Sequence, residues 1–252
     1  MDSSEVVYPR RVVVTGAASG IGKSTALLLR ARGCEVLAAD LNEAGLVDAA
    51  AAGCETLRCD VTRPDQRARL YTSAGEIDGL VNAAGIIRLV AVPEMTDRDW
   101  DALLSVNVKA LFFVARDLGL RMTEGAAIVN LSSISARWTT TTEALAYSAS
   151  KSAVMAITRG LANYLGPTGV RVNAVLPGIV DTPMQDQVLA DVAAIRGLTP
   201  DTLSRQRLLT IPLQNRSGAP ETVAEVIAFL LSDAARYVTG QGVGVDGGQF
   251  MI

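Results

Sequence analysis

The sequence predicts a single α/β domain built on a doubly wound, seven-stranded parallel sheet, and three observations carry that expectation. Short apolar, β-branched runs alternate with longer amphipathic segments, the pattern of a parallel sheet covered by helices on both faces. A glycine-rich turn, Thr15-Gly16-Ala17-Ala18-Ser19-Gly20-Ile21-Gly22, lies between the first apolar run and the first helical segment. Chemistry-bearing residues then recur at successive strand ends, where open α/β sheets bind ligands. The 252 residues suffice for one large core, and nothing marks a second domain.

Arg11-Val12-Val13-Val14 opens the series as a buried strand, and Lys23 to Arg32, with Ala26, Leu27, Leu28 and Leu29, forms the helix after the turn. Further strands are expected near 35–39, 55–59, 78–82, 126–132, 170–176 and 243–246. Helices are expected near 20–32, 43–52, 64–74, 97–118, 146–165, 183–206 (broken) and 220–232. The strand ends then carry Gly16, Asp40, Asp60, Asn82, Ser133 and Pro177 in order.

The turn has the spacing G-x-x-x-G-x-G. Glycines let backbone approach a pyrophosphate, and the N–H groups opening a helix favour anionic oxygens. The plainer alternative is a structural turn that needs positive φ at Gly16 and Gly20. Asp40, at the tip of the second strand, can accept hydrogen bonds from both adenosine ribose hydroxyls. It would repel a 2′-phosphate, and Leu41 and Asn42 supply no offsetting cation, so NAD is the expected cofactor.

Tyr147-Ser148-Ala149-Ser150-Lys151 places a phenol and an ammonium four residues apart, on one helix face. Free tyrosine, with a pKa near ~10, is a poor acid or base at neutral pH. A neighbouring ammonium favours the phenolate and makes the pair a usable proton-transfer couple. The same spacing also arises on ordinary helix faces, so its weight comes from the strand-end residues around it.

Composition narrows the class. Apolar residues are 49% and aromatic residues 4%, which implies an aliphatic core. A net charge of −3 gives no reason to invoke nucleic acid. Cys34, Cys54 and Cys59 form no C-x-x-C pair and read as reduced thiols of a cytoplasmic protein. With no histidine, a zinc site is not expected, and no metal is assigned. Residues 1–10 lack an apolar signal-like stretch, and no run of ~20 apolar residues suggests a membrane span.

Taken in order and spacing, these segments resemble the short-chain dehydrogenase/reductase family across nearly the whole chain. The matching stretches are Thr15 to Gly22, Asp40, Cys59-Asp60-Val61, Asn82-Ala83-Ala84-Gly85, Val106-Asn107-Val108 and Ile128 to Ser133. They continue through Tyr147 to Lys151, Pro177-Gly178-Ile179-Val180-Asp181-Thr182, Val238-Thr239-Gly240-Gln241 and Asp246-Gly247-Gly248. The resemblance implies a Rossmann-type fold and an NAD-dependent oxidoreductase interconverting a secondary alcohol and a ketone. Asn107, Ser133, Tyr147 and Lys151 would be the catalytic tetrad. Tyr147 would exchange the proton, Lys151 would tune it and hold the nicotinamide ribose, and Ser133 would bond the substrate oxygen. Asn107, in a helix interruption, would anchor a relay water. Cofactor contacts would come from Gly16, Ser19, Gly20, Ile21, Gly22, Asp40, Asp60 and Val61. Asn82, Ala83, Ala84, Gly85, Tyr147, Lys151, Pro177, Gly178, Ile179 and Thr182 would complete them.

Ser133 and Tyr147 are 14 residues apart where most members have 13, and the stretch between the third strand and Asn82 is short. Both traits resemble the cytosolic 3-hydroxybutyrate dehydrogenase-like and sugar-acid dehydrogenase branch. The arginines expected there for a substrate carboxylate, just before the tyrosine and early in the lid, are absent here. A neutral polyol or sugar therefore stands beside a small hydroxy acid as substrate. Arg137, Arg196, Arg205 and Arg207 are expected to be solvated surface residues. The segment 183–214, broken by Gly197 and Pro200, reads as a substrate lid. Met184 and Val188 on it are candidate substrate contacts, with Ser133, Tyr147 and Trp138; Trp138 could equally pack beneath its loop. A 3-oxoacyl reductase is the alternative activity, and a non-catalytic NAD-sensing protein the alternative class. Apolar surface on 97–118 and 146–165, with the resemblance, points to a homotetramer.

Overall fold

The computed structural model describes residues 6–139 and 141–251. Seven parallel strands form one sheet in the order β3-β2-β1-β4-β5-β6-β7. They are β1 (Arg11–Thr15), β2 (Glu35–Asp40), β3 (Glu55–Arg58), β4 (Gly79–Asn82), β5 (Ala127–Leu131), β6 (Arg171–Pro177) and β7 (Gly242–Val245). The order reverses between β1 and β4, where Thr15 lies beside Asn82. Chain direction on the two sides therefore diverges at this switch point, and a crevice opens beyond the carboxyl ends.

The helices are α1 (Gly20–Ala31), α2 (Val47–Ala51), α3 (Pro64–Ala74), α4 (Asp97–Leu104), α5 (Leu111–Gly119) and α6 (Leu145–Leu165). They continue with α7 (Pro183–Arg196), α8 (Pro200–Leu208) and α9 (Pro220–Leu231). The two-residue period of a strand explains the two-sided core. Val12, Val14, Val36 and Ala38 face one layer, with Ala26 and Leu29 of α1 and Ile227 of α9. Val13, Leu37, Leu80 and Ile128 face the other, with Leu70 of α3, Val114 and Leu118 of α5, and Leu161 and Leu165 of α6. Burying each such side chain contributes about 1.5–3 kcal/mol. A sheet covered on both faces leaves its carboxyl edge as the place for ligands.

Expected and observed elements agree to within a residue or two except at two places. The expected helix 97–118 is interrupted by a π-helical segment, Ser105–Ala110, between α4 and α5. The expected broken helix divides at Gly197, which adopts φ +65°, and restarts with Pro200 in the first turn of α8. Among the large apolar side chains of α4 and α6, Trp100, Leu145 and Tyr164 are exposed.

No described helix is long and apolar enough to cross a membrane. Cys34, Cys54 and Cys59 are free and buried, and burial raises all three thiol pKa values.

Candidate active site

Two connected spaces lie along the carboxyl edge. A groove of about 420 Å³ runs over the glycine turn and the ends of β1, β2 and β3. A chamber of about 130 Å³ lies beyond it, between β5, α6 and the start of α7. Ile21, Ala83, Gly85, Ile86, Leu131, Thr182 and Met184 border both, so a molecule in one reaches the other.

The groove is shaped by backbone. A Cβ on Gly16 would meet the Ala83 carbonyl carbon at 2.6 Å, and one on Gly22 would meet the Gly16 oxygen at 2.1 Å. No side chain fits between the turn and the strand end, so the backbone itself forms the floor. Ser19 is extended and its side chain caps nothing, which leaves the first N–H groups of α1 without a side-chain partner. A helix start of this kind suits an anionic group. At the far end, the Ala18 N–H donates to Asp40 Oδ2 at 3.0 Å and the Asn42 N–H to Asp40 Oδ1 at 2.8 Å. Asp60 accepts from the Thr62 N–H and hydroxyl at 2.9 and 2.6 Å. Both carboxylates are thus locked in place on the wall, and no lysine or arginine lines the groove.

Gly16, Ser19, Gly20, Ile21, Gly22, Asp40, Asp60, Val61, Ala83, Ala84, Gly85 and Thr182 all border the groove. Asn82 does not. Its amide donates to Asn130 Oδ1 at 3.0 Å, and Asn130 donates in turn to Thr158 Oγ1 at 3.0 Å. Asn82 faces into the core, where this chain of amides ties β4 and β5 to α6. Pro177, Gly178 and Ile179 line the chamber. Gly178 is required there because a Cβ would meet Cβ of Asp246 at 2.7 Å.

Ser133, Tyr147 and Lys151 converge in the chamber from two elements. Ser133 follows β5, and its Oγ accepts the Ser135 N–H at 3.1 Å. Tyr147 and Lys151 share a face of α6, with the ammonium 5.6 Å from the phenol ring centroid. The Lys151 Nζ donates to the Leu131 carbonyl at 2.8 Å. Burial dominates the titration of both groups: it pushes the Tyr147 phenol up to about 12, opposed by the Ser133 hydroxyl, and the Lys151 ammonium down to about 8. Burial of the phenol, rather than the lowering expected from its lysine, dominates here. The ammonium is bound to a carbonyl, and desolvation of the phenolate outweighs it.

Asn107 is fully buried in the π-helical segment. Its Oδ1 accepts the Ile86 N–H at 2.9 Å, and its Nδ2 donates to the Ile86 carbonyl at 2.9 Å and to Ser150 Oγ at 3.1 Å. Ser150 donates to the Tyr147 carbonyl at 2.7 Å. The side chain is spent on holding the strand-end loop against α6, so its direct effect is on the placement of the tyrosine helix.

Helices α7 and α8 lie against the chamber. Val188, Val192, Ala193 and Leu203 are buried together against Ile87 and Leu89. Met184 and Val188 line the chamber. Trp138 does not; it stacks on Phe250, ring centroids 6.2 Å apart, and walls a side space of about 100 Å³. Arg207 is not the solvated residue expected, whereas Arg196 is exposed as expected. Arg196 pairs with Glu143 at 2.9 Å, a contact that holds the Glu143 carboxyl down at about 2. Arg207 lines both the chamber and the side space. Its position four residues after buried Leu203 puts the two on one helix face, a signal present in the sequence. Gln249 also lines both spaces and was carried by no motif.

Among the described residues, no group of three or more histidine, cysteine, aspartate or glutamate side chains could hold a metal ion. The groove and chamber together suit a dinucleotide: an anion site at a helix start, paired carboxylates at one end and a proton-transfer couple at the other.

Comparison with known proteins agrees with that geometry. The family described as enoyl-(acyl carrier protein) reductase matches residues 16–249. The 3-oxoacyl-[acyl-carrier-protein] reductase of Thermotoga maritima is 38% identical over 94% of this chain and 96% of its own. Cyclopentanol dehydrogenase of a Comamonas species is 33% identical over 96% and 97%. Among solved structures, a Brucella melitensis protein described as a short-chain dehydrogenase/reductase and glucose/ribitol dehydrogenase superposes with a TM-score of 0.85. It is 34% identical, covering 96% of this chain and 97% of that one.

Proposed function

Because the chain belongs to the short-chain dehydrogenase/reductase family, we propose that it is an NAD-dependent dehydrogenase interconverting a small secondary alcohol and its ketone. The observation that carries this reading is the joining of two spaces. A groove walled by Asp40 and Asp60 with no cation opens directly onto a chamber holding Ser133, Tyr147 and Lys151. NAD, when bound, supplies the hydride acceptor.

The protein's own groups would do the rest. Asp40 would accept the adenosine ribose hydroxyls and repel a 2′-phosphate, and the α1 start would hold the pyrophosphate. Gly178, Ile179 and Thr182 would keep the nicotinamide end against the chamber. Lys151, leaving the Leu131 carbonyl, would bind the nicotinamide ribose and bring its charge to bear on the phenol. Tyr147 would then take the proton from the substrate hydroxyl as the hydride leaves carbon, and return it in the reverse direction. Ser133 would donate to the substrate oxygen as charge develops. Asn107 would hold the loop and helix in register, and its main chain would be the anchor for a relay water. The segment 183–214 would act as the lid, with Met184 and Val188 against the substrate. A homotetramer in the cytoplasm remains the family-based expectation.

A second reading, 3-oxoacyl reduction, draws support from the Thermotoga relative's name. It is disfavoured by a groove whose charge suits NAD better than the NADP of reductive biosynthesis. A purely NAD-sensing role would give Ser133, Tyr147 and Lys151 no reason to meet. The test is initial-rate measurement with hydroxy acids, polyols, sugars and cyclic alcohols, each with NAD and NADP. The proposal expects reduction of NAD by at least one class; binding of NADH with no turnover of any would favour the sensing role.

A further inference from the structure

Two buried polar atoms at the back of the chamber lack partners. Arg207 Nη1 and Gln249 Oε1 are shielded from solvent and unpaired among the described residues. The Gln249 amide nitrogen is occupied, donating to Thr210 Oγ1 at 2.9 Å, so only its oxygen is idle. Both residues, with Thr141, border the chamber on one side and the 100 Å³ side space on the other. They form a partition between the two spaces.

A buried donor or acceptor left unpaired costs about 1–3 kcal/mol, more when charged. A buried guanidinium nitrogen in that state, in a wall that offers it no carboxylate, suits an anion. The local charge sets the kind of anion. Arg196 and Glu143 neutralise each other through bonds of 2.9 and 3.0 Å. Arg207 has no ion pair among the described residues, so this corner carries one net positive charge. Burial and the nearby Arg196 both lower its pKa, the direction expected of a cation without a counter-charge.

We propose that Arg207 and Gln249 form the distal substrate subsite, and that the physiological substrate is a hydroxy acid whose carboxylate binds Arg207. A monoanion balances the corner, whereas a phosphate ester near −2 would leave an excess negative charge. Gln249 Oε1 accepts, so it selects a hydroxyl donor on the carbon chain near the carboxylate, as in a polyhydroxylated acid. Both residues lie outside the positions where the sequence lacks arginine: Arg207 is in α8, Gln249 follows β7. The proposal rests on the dehydrogenase reading and names the substrate class of that same site.

The experiment compares acids with amides of the same skeleton: glycerate and glyceramide, 3-hydroxybutyrate and 3-hydroxybutyramide, gluconate and gluconamide. Oxidation with NAD is measured for the wild type, Arg207→Met and Arg207→Lys, and binding of the three acids to the enzyme–NADH complex is measured by calorimetry. NADH affinity verifies that each variant is folded. The expected result is one acid preferred over its amide by at least 100-fold in kcat/KM. Arg207→Met should collapse that ratio towards one, chiefly through KM, and Arg207→Lys should recover part of it. Amides used as well as acids, a ratio unchanged in Arg207→Met, or no acid binding to a complex that holds NADH would each overturn the subsite. Arg207-dependent acid binding without turnover would support the subsite and remove the dehydrogenase reading instead.

Discussion

The groove and the chamber, proposed to hold cofactor and substrate, are neighbours made in different ways. The groove is built from main chain: a glycine turn packed on Ala83, a helix start, and carboxylates locked by backbone N–H groups. The chamber is walled on its far side by long side chains from α7, α8 and the segment after β7. Backbone geometry tolerates few residue types, so the groove leaves motifs in the sequence. A chamber walled by side chains can change its occupant by single substitutions. Reaction class is therefore written where the chain is constrained, and substrate choice where it is free.

The junction of the two regions should show the largest effect. Tyr147→Phe keeps the ring and its packing but removes the transferable proton. We expect kcat to fall about 10²–10⁴-fold with NADH affinity unchanged. Lys151→Ala should lower the rate and also weaken NADH binding, because one ammonium would serve both regions. A pH profile sharpens the point. If cofactor binding draws Lys151 off the Leu131 carbonyl, the oxidation rate should rise with an apparent pKa well below the value of about 12 to which burial pushes the phenol. Near-normal turnover by Tyr147→Phe would mean that the two spaces meet without chemistry.

Next in size is a test of the groove alone. Asp40 carries charge where no cation answers it, so we expect NAD to be preferred over NADP by at least tenfold in kcat/KM, about 1.4 kcal/mol. Asp40→Asn keeps an acceptor for one of the two N–H groups and removes the repulsion, so the preference should fall towards parity. The acid-to-amide ratio should not move, since the chamber is untouched. Equal use of both cofactors by the wild type would break the link between groove charge and selectivity.

The sequence made the sheet and the groove legible because each depends on local patterns. Alternating valines divide two core layers, and glycines stand where a Cβ would strike backbone. Asn82 stands apart from its neighbours: Ala83 to Gly85 border the groove, while its own amide faces inward to Asn130 and supports the sheet beside it. Trp138 was readable only as an aromatic near the serine; its stack on Phe250 joins residues far apart in the chain. Arg207 looked like a surface arginine because charge is what sequence reports, and burial under α7 and the C-terminal segment is tertiary. The burial of Tyr147 is hidden from the sequence for a similar reason. Spacing shows that an ammonium is near, but only the structure shows it bound to a carbonyl and the phenol buried.

The smallest expected effect concerns how the chamber's side-chain wall is held. Glu143, four residues before Tyr147, joins that loop to the end of α7 through Arg196. The Arg196 hydrogen bonds hold the Glu143 carboxyl down at about 2, below the ordinary 4.5 of a glutamate. A depressed carboxylate pKa adds stability that is fully present above about 4.5 and is lost as pH falls towards 2. Arg196 is 41% exposed, so water screens the pair and its worth is that of a partly solvated bridge, about 0.2–1 kcal/mol. Glu143→Gln should therefore lower the thermal midpoint slightly at pH 7 and flatten its pH dependence between 4.5 and 2. The same variant would free Arg196 beside Arg207 and raise the corner's positive charge, so hydroxy-acid KM should fall or hold while NADH affinity stays fixed. A large loss of NADH affinity would show that the wall and the groove are mechanically coupled, and that the division between a rigid backbone site and an adjustable side-chain site does not hold.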